Sequence, residues 1–471
     1  MNRLRCWALI LLCFVLTACS ARMPLHPDQM QFSPLAFELP QVERLVLPNG
    51  IRLFLKEDHE LPLVSVTAMI GAGSIGDPAT KTGQGGVFAS LLRTGGAGEM
   101  SPEALDEKLE HLAADFSATS DTYTTTLGLS LRSGDLRAGL GVLADVLRRP
   151  GFDVQRLELA RKQAVEGVRR QDDDPGAVAQ RTFMKALYGD HPLGRTPTEK
   201  TLQAVTREDL VAFHRRYSHP ENLWLGISGD FSRGELKALL EELFGSWEGG
   251  AFRYQDVPPF GGVTSPSLIL AQKEIPQTTI LMGQVGIEKG NPDLQALRVM
   301  NFILGGGGFN SRLMREVRSN RGLAYSVYSY FQVGRLLPGP FIAGAETKSA
   351  STMEVVGLMR ALIGEMRESP VPEADLQLAK ESLINSFVFA FTDSHDIVTQ
   401  RMRLDFFDYP DGYLETYRDK VAAVTGEDVL RVARRYLDPD RQIVVLVGDE
   451  AALDAPPSSL GLPVRPAAQI D

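Results

Sequence analysis

One stretch of this chain occurs twice. Val205-Thr206-Arg207-Glu208-Asp209 returns as Val424-Thr425-Gly426-Glu427-Asp428, and both run at helical spacing to Arg215-Arg216-Tyr217 and Arg434-Arg435-Tyr436. Each then reaches a proline (Pro220, Pro439), an apolar strand and a Gly-Asp pair (Gly229-Asp230, Gly448-Asp449). The offset is 219 throughout, without a gap, and ten of the 26 positions are identical. The same offset pairs Leu157-Glu158-Leu159-Ala160-Arg161 with Leu376-Gln377-Leu378-Ala379-Lys380. An offset of 214 pairs Pro62, Gly76 and Pro78 with Pro276, Gly290 and Pro292. Several segments in one order at nearly one spacing mean a duplicated unit. The repeat predicts homologous domains over 42–247 and 267–452, a Gly/Pro-rich linker at 248–266 and a tail at 453–471.

Each unit reads as α+β. Val42–Leu47, Pro48-Asn49-Gly50 and Ile51–Lys56 form a hairpin signal with an Asn-Gly turn. Leu63–Ile70 is a strongly apolar strand, and Tyr123–Leu131 alternates like one. Helical periodicity covers Pro102–Ala113 (with Ser101 as N-cap), Leu136–Arg148 and Asp153–Arg170, before a closing strand at Leu223–Ser228. This order fits a sheet with helices on one face. With 44% hydrophobic and 23% charged residues the composition is that of a globular protein. A net charge of −10 argues against nucleic acid as a partner.

Residues 1–18 read as a targeting segment. Arg3 and Arg5 precede an apolar run from Trp7 to Leu16, too short to span a bilayer. Leu16-Thr17-Ala18-Cys19-Ser20 resembles a bacterial lipobox, which implies acylation of Cys19. Residues 19–41 would then tether a globular body to the membrane by lipid rather than by charge. The three cysteines are Cys6, Cys13 and Cys19, so the processed chain would keep no free thiol for disulfides or catalysis. Ser20 after the cysteine resembles the outer-membrane sorting signal, which implies the periplasmic side of the cell envelope.

Further motifs carry a family resemblance. Leu47-Pro48-Asn49-Gly50, Gly71-Ala72-Gly73-Ser74, Thr82-Gly83, His191-Pro192-Leu193-Gly194 and Arg321-Gly322-Leu323-Ala324-Tyr325-Ser326 resemble the pitrilysin/insulinase-type (M16) zinc peptidases across residues 42–450. That resemblance implies two homologous metallopeptidase-like α/β domains, each a mainly antiparallel sheet covered by helices. Active members carry His-x-x-Glu-His on the helix after the Gly-Ser strand, with a further glutamate later in the chain. Here the expected histidines fall on Gly86 and Ser90 and the general base on Ala89. Glu166 lies near the distal ligand position, within one residue of register, and reads as a solvated helix residue. None of the seven histidines forms an i, i+4 pair elsewhere, so the resemblance implies no metal or other cofactor in this chain. No phosphate loop and no Gly-x-Ser-x-Gly elbow appear. Asp172-Asp173-Asp174-Pro175 reads as a solvated helix end or turn.

The second half keeps other parts. In the family, an arginine and a tyrosine seven residues apart face the metal; the matching positions are Arg318 and Tyr325. A helix through Ser319, a break near Gly322 and a strand over Leu323–Phe331 are expected to bring them to one wall. The glycine run Gly305-Gly306-Gly307-Gly308 is the expected substrate-binding loop, where backbone can approach an extended peptide. Some bacterial members are heterodimers in which one subunit holds zinc and the other supplies the arginine-tyrosine pair. The resemblance thus implies a non-zinc subunit that completes a zinc-motif partner and binds peptides by strand addition. The alternative is a silent peptide-binding or assembly lipoprotein.

Overall fold

The hairpin at the start shows how local sequence builds the first sheet. Strands β1 (Glu43–Val46) and β2 (Arg52–Glu57) pair antiparallel, with Val46 opposite Arg52. Gly50 turns the chain at φ +99°, and Asn49 Nδ2 donates to the carbonyls of Phe244 and Trp247, fixing the turn to the end of the domain. The computed structural model describes residues 37–250, 252–254, 257–260 and 265–469. The targeting segment, Cys19 and most of the tether lie outside the described residues, as do parts of the linker.

Two six-stranded sheets follow. The first also holds β3 (Leu63–Ile70), β4 (Asp115–Ser120), β5 (Thr125–Arg132) and β6 (Leu223–Gly229), in the order β1-β2-β6-β3-β5-β4. The second holds β7 (Ser267–Gln272), β8 (Gln277–Val285), β9 (Ala324–Phe331), β10 (Pro340–Lys348), β11 (Ile443–Gly448) and β12 (Val464–Pro466), in the order β12-β7-β11-β8-β10-β9. In each sheet one internal pair is parallel, β2 with β6 and β7 with β11, while the following pairs are antiparallel. The duplication legible in the sequence is thus a duplication of topology. The edge strands differ: β1 runs antiparallel to β2, and β12 runs parallel to β7.

The halves cover each other. The Pro175–Tyr188 helix of the first half lays Ala179, Phe183 and Leu187 against Ile269, Leu281 and Val445 of the second sheet. The Ser394–Phe406 helix of the second half lays Val398, Met402 and Phe406 against Phe54, Met69 and Trp224 of the first. These helices start 219 residues apart, so equivalent elements are exchanged. Each sheet therefore has its own helices on one face and a borrowed helix on the other. That is why β6 (LWLGISG) and β11 (IVVLVG) are apolar but for Ser228 rather than alternating, and buried along nearly their whole length. Gly226 admits the borrowed helix, because a Cβ there would collide with Met402 Sδ and Val398 Cγ1. Residues 39–471 accordingly form one unit.

Asp174 opens the first exchanged helix, accepting from Gly176 N at 2.8 Å ahead of Pro175 at N1. The acidic run read as a solvated end is thus the start of the element that joins the halves, and Asp172 pairs with Arg181 along it.

Candidate functional site

The helix Gln84–Thr94 carries the positions expected for a zinc motif. Asp77 sets its start: its carboxylate accepts from Gly83 N at 2.8 Å and Gly85 N at 3.0 Å. Burial pushes the Asp77 carboxyl up to about 7, against the pull of these backbone N–H groups. Gly86 is exposed, and a Cβ there would meet nothing within 4 Å. Ala89 is buried in the core, and Ser90 is half-buried. None of the three side chains can ligate zinc or take a proton.

The Val154–Arg170 helix packs alongside. Glu166 points to solvent and pairs with Arg170 at 2.8 Å. Its neighbour Gly167 lines the space beside Gly86, together with Ala164, Val168 and Gln171. A cavity of about 410 Å³ opens there, with both glycines on its wall. The residues present do not fit a metal. Among the described residues no group of three or more His, Cys, Asp or Glu is placed to hold one. The histidines serve packing or local bonds instead. His214 lies beside Phe88 and Phe152, with Nε2 2.8 Å from the Leu147 carbonyl. His395 fits between Thr67 (2.8 Å) and Ser228 (2.9 Å), and His191 Nε2 meets the Pro258 carbonyl at 2.9 Å.

In the second half the helix Leu294–Asn301 widens into a π-helical turn, Phe302–Gly306, which leads into the glycine run. Three of the four glycines are required by their own half. A Cβ on Gly305 would come within 2.5 Å of Ser329 N, one on Gly306 within 2.6 Å of Asn301 Nδ2, and one on Gly307 within 2.6 Å of the Phe302 carbonyl. Gly308 has open space around it but a φ of +56°, which favours glycine. The run turns the chain and presents Phe309, which is 63% exposed. Sequence reasoning passed over Phe309; an aromatic residue directly after four glycines was the available signal.

Arg318 lies on a second π-helical turn, Met314–Asn320, and Gly322 (φ +64°) starts the reversal into β9. This bend brings Arg318 and Tyr325 together. The guanidinium lies 4.6 Å from the Tyr325 ring centre and 4.7 Å from that of Phe309, and Nη1 donates to the Tyr325 carbonyl at 2.8 Å. Tyr325 itself is 80% exposed. Among the described residues no carboxylate pairs with Arg318, and no hydrogen bond or ion pair joins Arg318 or Tyr325 to the Gly86 helix. Tyr328 and Tyr330 continue the exposed row along β9, their rings stacked at 6.1 Å.

Comparison with known proteins agrees with this geometry. The family described as "Insulinase (Peptidase family M16)" matches residues 52–201, and "Peptidase M16 inactive domain" matches residues 204–383. The chain belongs to the M16 peptidase family. Among M16 relatives, an uncharacterized zinc protease of Mycobacterium leprae is 28% identical over 441 residues, covering 90% of this chain and 95% of that protein. A protein named non-peptidase homolog YmxG, from Helicobacter pylori, is 26% identical over 342 residues, covering 71% of this chain and 77% of its own. The crystal structure of an M16 inactive domain from Pseudomonas fluorescens superposes with a TM-score of 0.80 at 27% identity, covering 88% of this chain and all of that one. A Helicobacter pylori protease shares the fold at a TM-score of 0.77 and 18% identity, covering 87% of this chain and all of its own. The helix Gln84–Thr94 lies within the residues matched to the insulinase family, and Gly86, Ala89 and Ser90 stand on it where the resemblance expects zinc-site residues.

Proposed function

We propose that this chain is the non-zinc subunit of a two-chain M16 peptidase, held by lipid on Cys19 at the periplasmic face of the outer membrane. A zinc-motif homologue would supply the metal and the general base, and this chain would supply contacts to the peptide. The observation that carries the reading is the Phe309–Arg318–Tyr325 stack. A guanidinium with no carboxylate partner among the described residues is held between two exposed rings, and a phenol projects beyond it. Neither feature contributes to the core. An ordered guanidinium can grip a peptide carbonyl with its remaining N–H donors, and the Tyr325 hydroxyl can donate to a developing oxyanion. β9 pairs with β10 on one side only, so its other edge can accept an extended peptide as an added strand.

The test is co-purification with a zinc-motif homologue, followed by peptide cleavage. Arg318→Ala and Tyr325→Phe should each cut cleavage by the pair by about 10²-fold or more. Unchanged cleavage would refute their role. One observation favours a second reading, a silent binding or assembly lipoprotein: Arg318 also ties down the turn through the Tyr325 carbonyl, which is a structural task. On that reading the pair of chains assembles and neither substitution alters any cleavage.

A further inference from the structure

The cavity beside Gly86 has the chemistry of a ligand site rather than of a packing fault. Its volume, about 410 Å³, lies in the range of small-molecule pockets. Val87, Val168 and Leu202 give it apolar walls. Two lining residues carry charge, Asp77 and Arg195. The Asp77 oxygens are occupied by the N–H groups of Gly83 and Gly85, and burial pushes this acid towards its neutral form. Arg195 donates Nε to the Asp190 carbonyl at 2.8 Å and Nη1 to the Asp77 carbonyl at 3.4 Å, which orients the guanidinium. No hydrogen bond engages its Nη2 among the described residues. Gly86 and Gly167 face each other's helices across the same space, and a Cβ on either would meet nothing within 4 Å. Glycine inside a helix costs roughly 0.5–1 kcal/mol relative to alanine, and packing does not demand it at these two positions. Both glycines keep the cavity open.

We propose that the space between the Gln84–Thr94 and Val154–Arg170 helices binds a short apolar group ending in a free carboxylate, with the apolar body against Val87, Val168 and Leu202 and the carboxylate on Arg195. A free acylated amino acid and the C-terminus of a peptide share this chemistry. Neither Arg318 nor Tyr325 lines this cavity, and every group the proposal uses belongs to this chain. Arginine suits the task because its planar fork matches a carboxylate.

The test is calorimetric titration of the processed chain with N-acetyl-leucine, with N-acetyl-leucine amide, and with a hexapeptide ending in leucine as free acid and as amide. Binding of at least one acid at or below about 1 mM is expected, with its amide about tenfold weaker or worse. Binding of both acids assigns the site to either source; binding of the peptide acid alone assigns it to peptide termini. Arg195→Gln should weaken the acid about tenfold and leave the amide unchanged. Gly86→Leu and Gly167→Leu fill the cavity from opposite helices at exposed positions where leucine favours the helix, so both should fold and both should abolish binding. The proposal is overturned if no acid binds at that concentration, if acid and amide bind alike, or if the two filling variants, folded by circular dichroism, bind as the parent does.

Discussion

Arg318 holds Tyr325 at two levels: its guanidinium stacks 4.6 Å from the ring centre, and its Nη1 binds the carbonyl of the same residue at 2.8 Å. The second bond survives any change to the ring. Tyr325→Phe should therefore shift stability by less than about 0.5 kcal/mol, as for exposed surface changes generally, while Arg318→Ala should loosen the Gly322 turn as well. Chemical denaturation of the two variants, beside cleavage by the reconstituted pair, separates the hydroxyl's chemistry from the arginine's structural bond.

The exchanged helices make the halves interdependent. Phe183 is fully buried against the second sheet, so Phe183→Ala should cost about 3–5 kcal/mol even though Phe183 belongs to the first half. Fragments split in the linker should be poorly soluble when expressed singly and recover a one-to-one complex when co-expressed. Two independently monomeric, cooperatively folding fragments would contradict the packing described above.

Acid should act on the exchanged helix through His395 and on the core of the first half through His214. Burial holds the His395 and His214 imidazoles below their usual range, outweighing the raising effect of Asp393 and Asp396 on His395 and of the Leu147 carbonyl on His214. The unfolded chain takes up these protons near 6.5 and the folded chain does so only at lower pH. Stability from these groups is thus complete above 6.5 and is lost as pH falls below it. His59 acts in the opposite sense, since its bond to Asp230 raises it, but it is exposed and screened. Asp77, pushed up to about 7 by burial, also opposes the histidines over this range, so the test is a difference: on going from pH 7.5 to 5.5 the His395→Gln variant should lose less urea stability than the parent.

The degenerate motif gives a gain-of-function test. A variant carrying Gly86→His, Ala89→Glu and Ser90→His places two imidazoles at i, i+4 on one helix face. Adding Gly167→Glu should complete a zinc site, because Gly167 faces the cavity whereas Glu166 turns to Arg170. Zinc should bind about tenfold or more tightly with the fourth substitution than without it. Equal affinity would mean that Glu166 already reaches the metal and that Gly167 is not the distal position.

Much of this was written in local sequence. The hairpin, the Leu63–Ile70 strand and the helices at Leu136–Arg148 and Val154–Arg170 follow from turn residues and period alone. The break at Gly322 was legible for the same reason: only a residue without Cβ adopts that φ cheaply. Three features were not legible. The register of Glu166 against Gly167 depends on how two helices are rotated, and one residue turns a side chain by about 100°. Phe309 joins the stack only because π-helical turns lie on both sides of it. The glycine run looked like an opening for substrate, yet three of its members answer to Ser329, Asn301 and Phe302.

The sequence by itself determined the duplication, the strand-and-helix order of each unit and the presence of Gly86, Ala89 and Ser90 where the resemblance expects zinc-site residues, because each of these is a matter of which residue stands where along the chain. The exchange of Pro175–Tyr188 for Ser394–Phe406 was decided only in three dimensions. The apolar runs of β6 and β11 announce that both faces are covered, but hydrophobic burial has no direction and names no partner. Shape chose it: Gly226 leaves room for Met402, and on the other sheet Gly283 lies against Phe183 of the helix that stands 219 residues earlier.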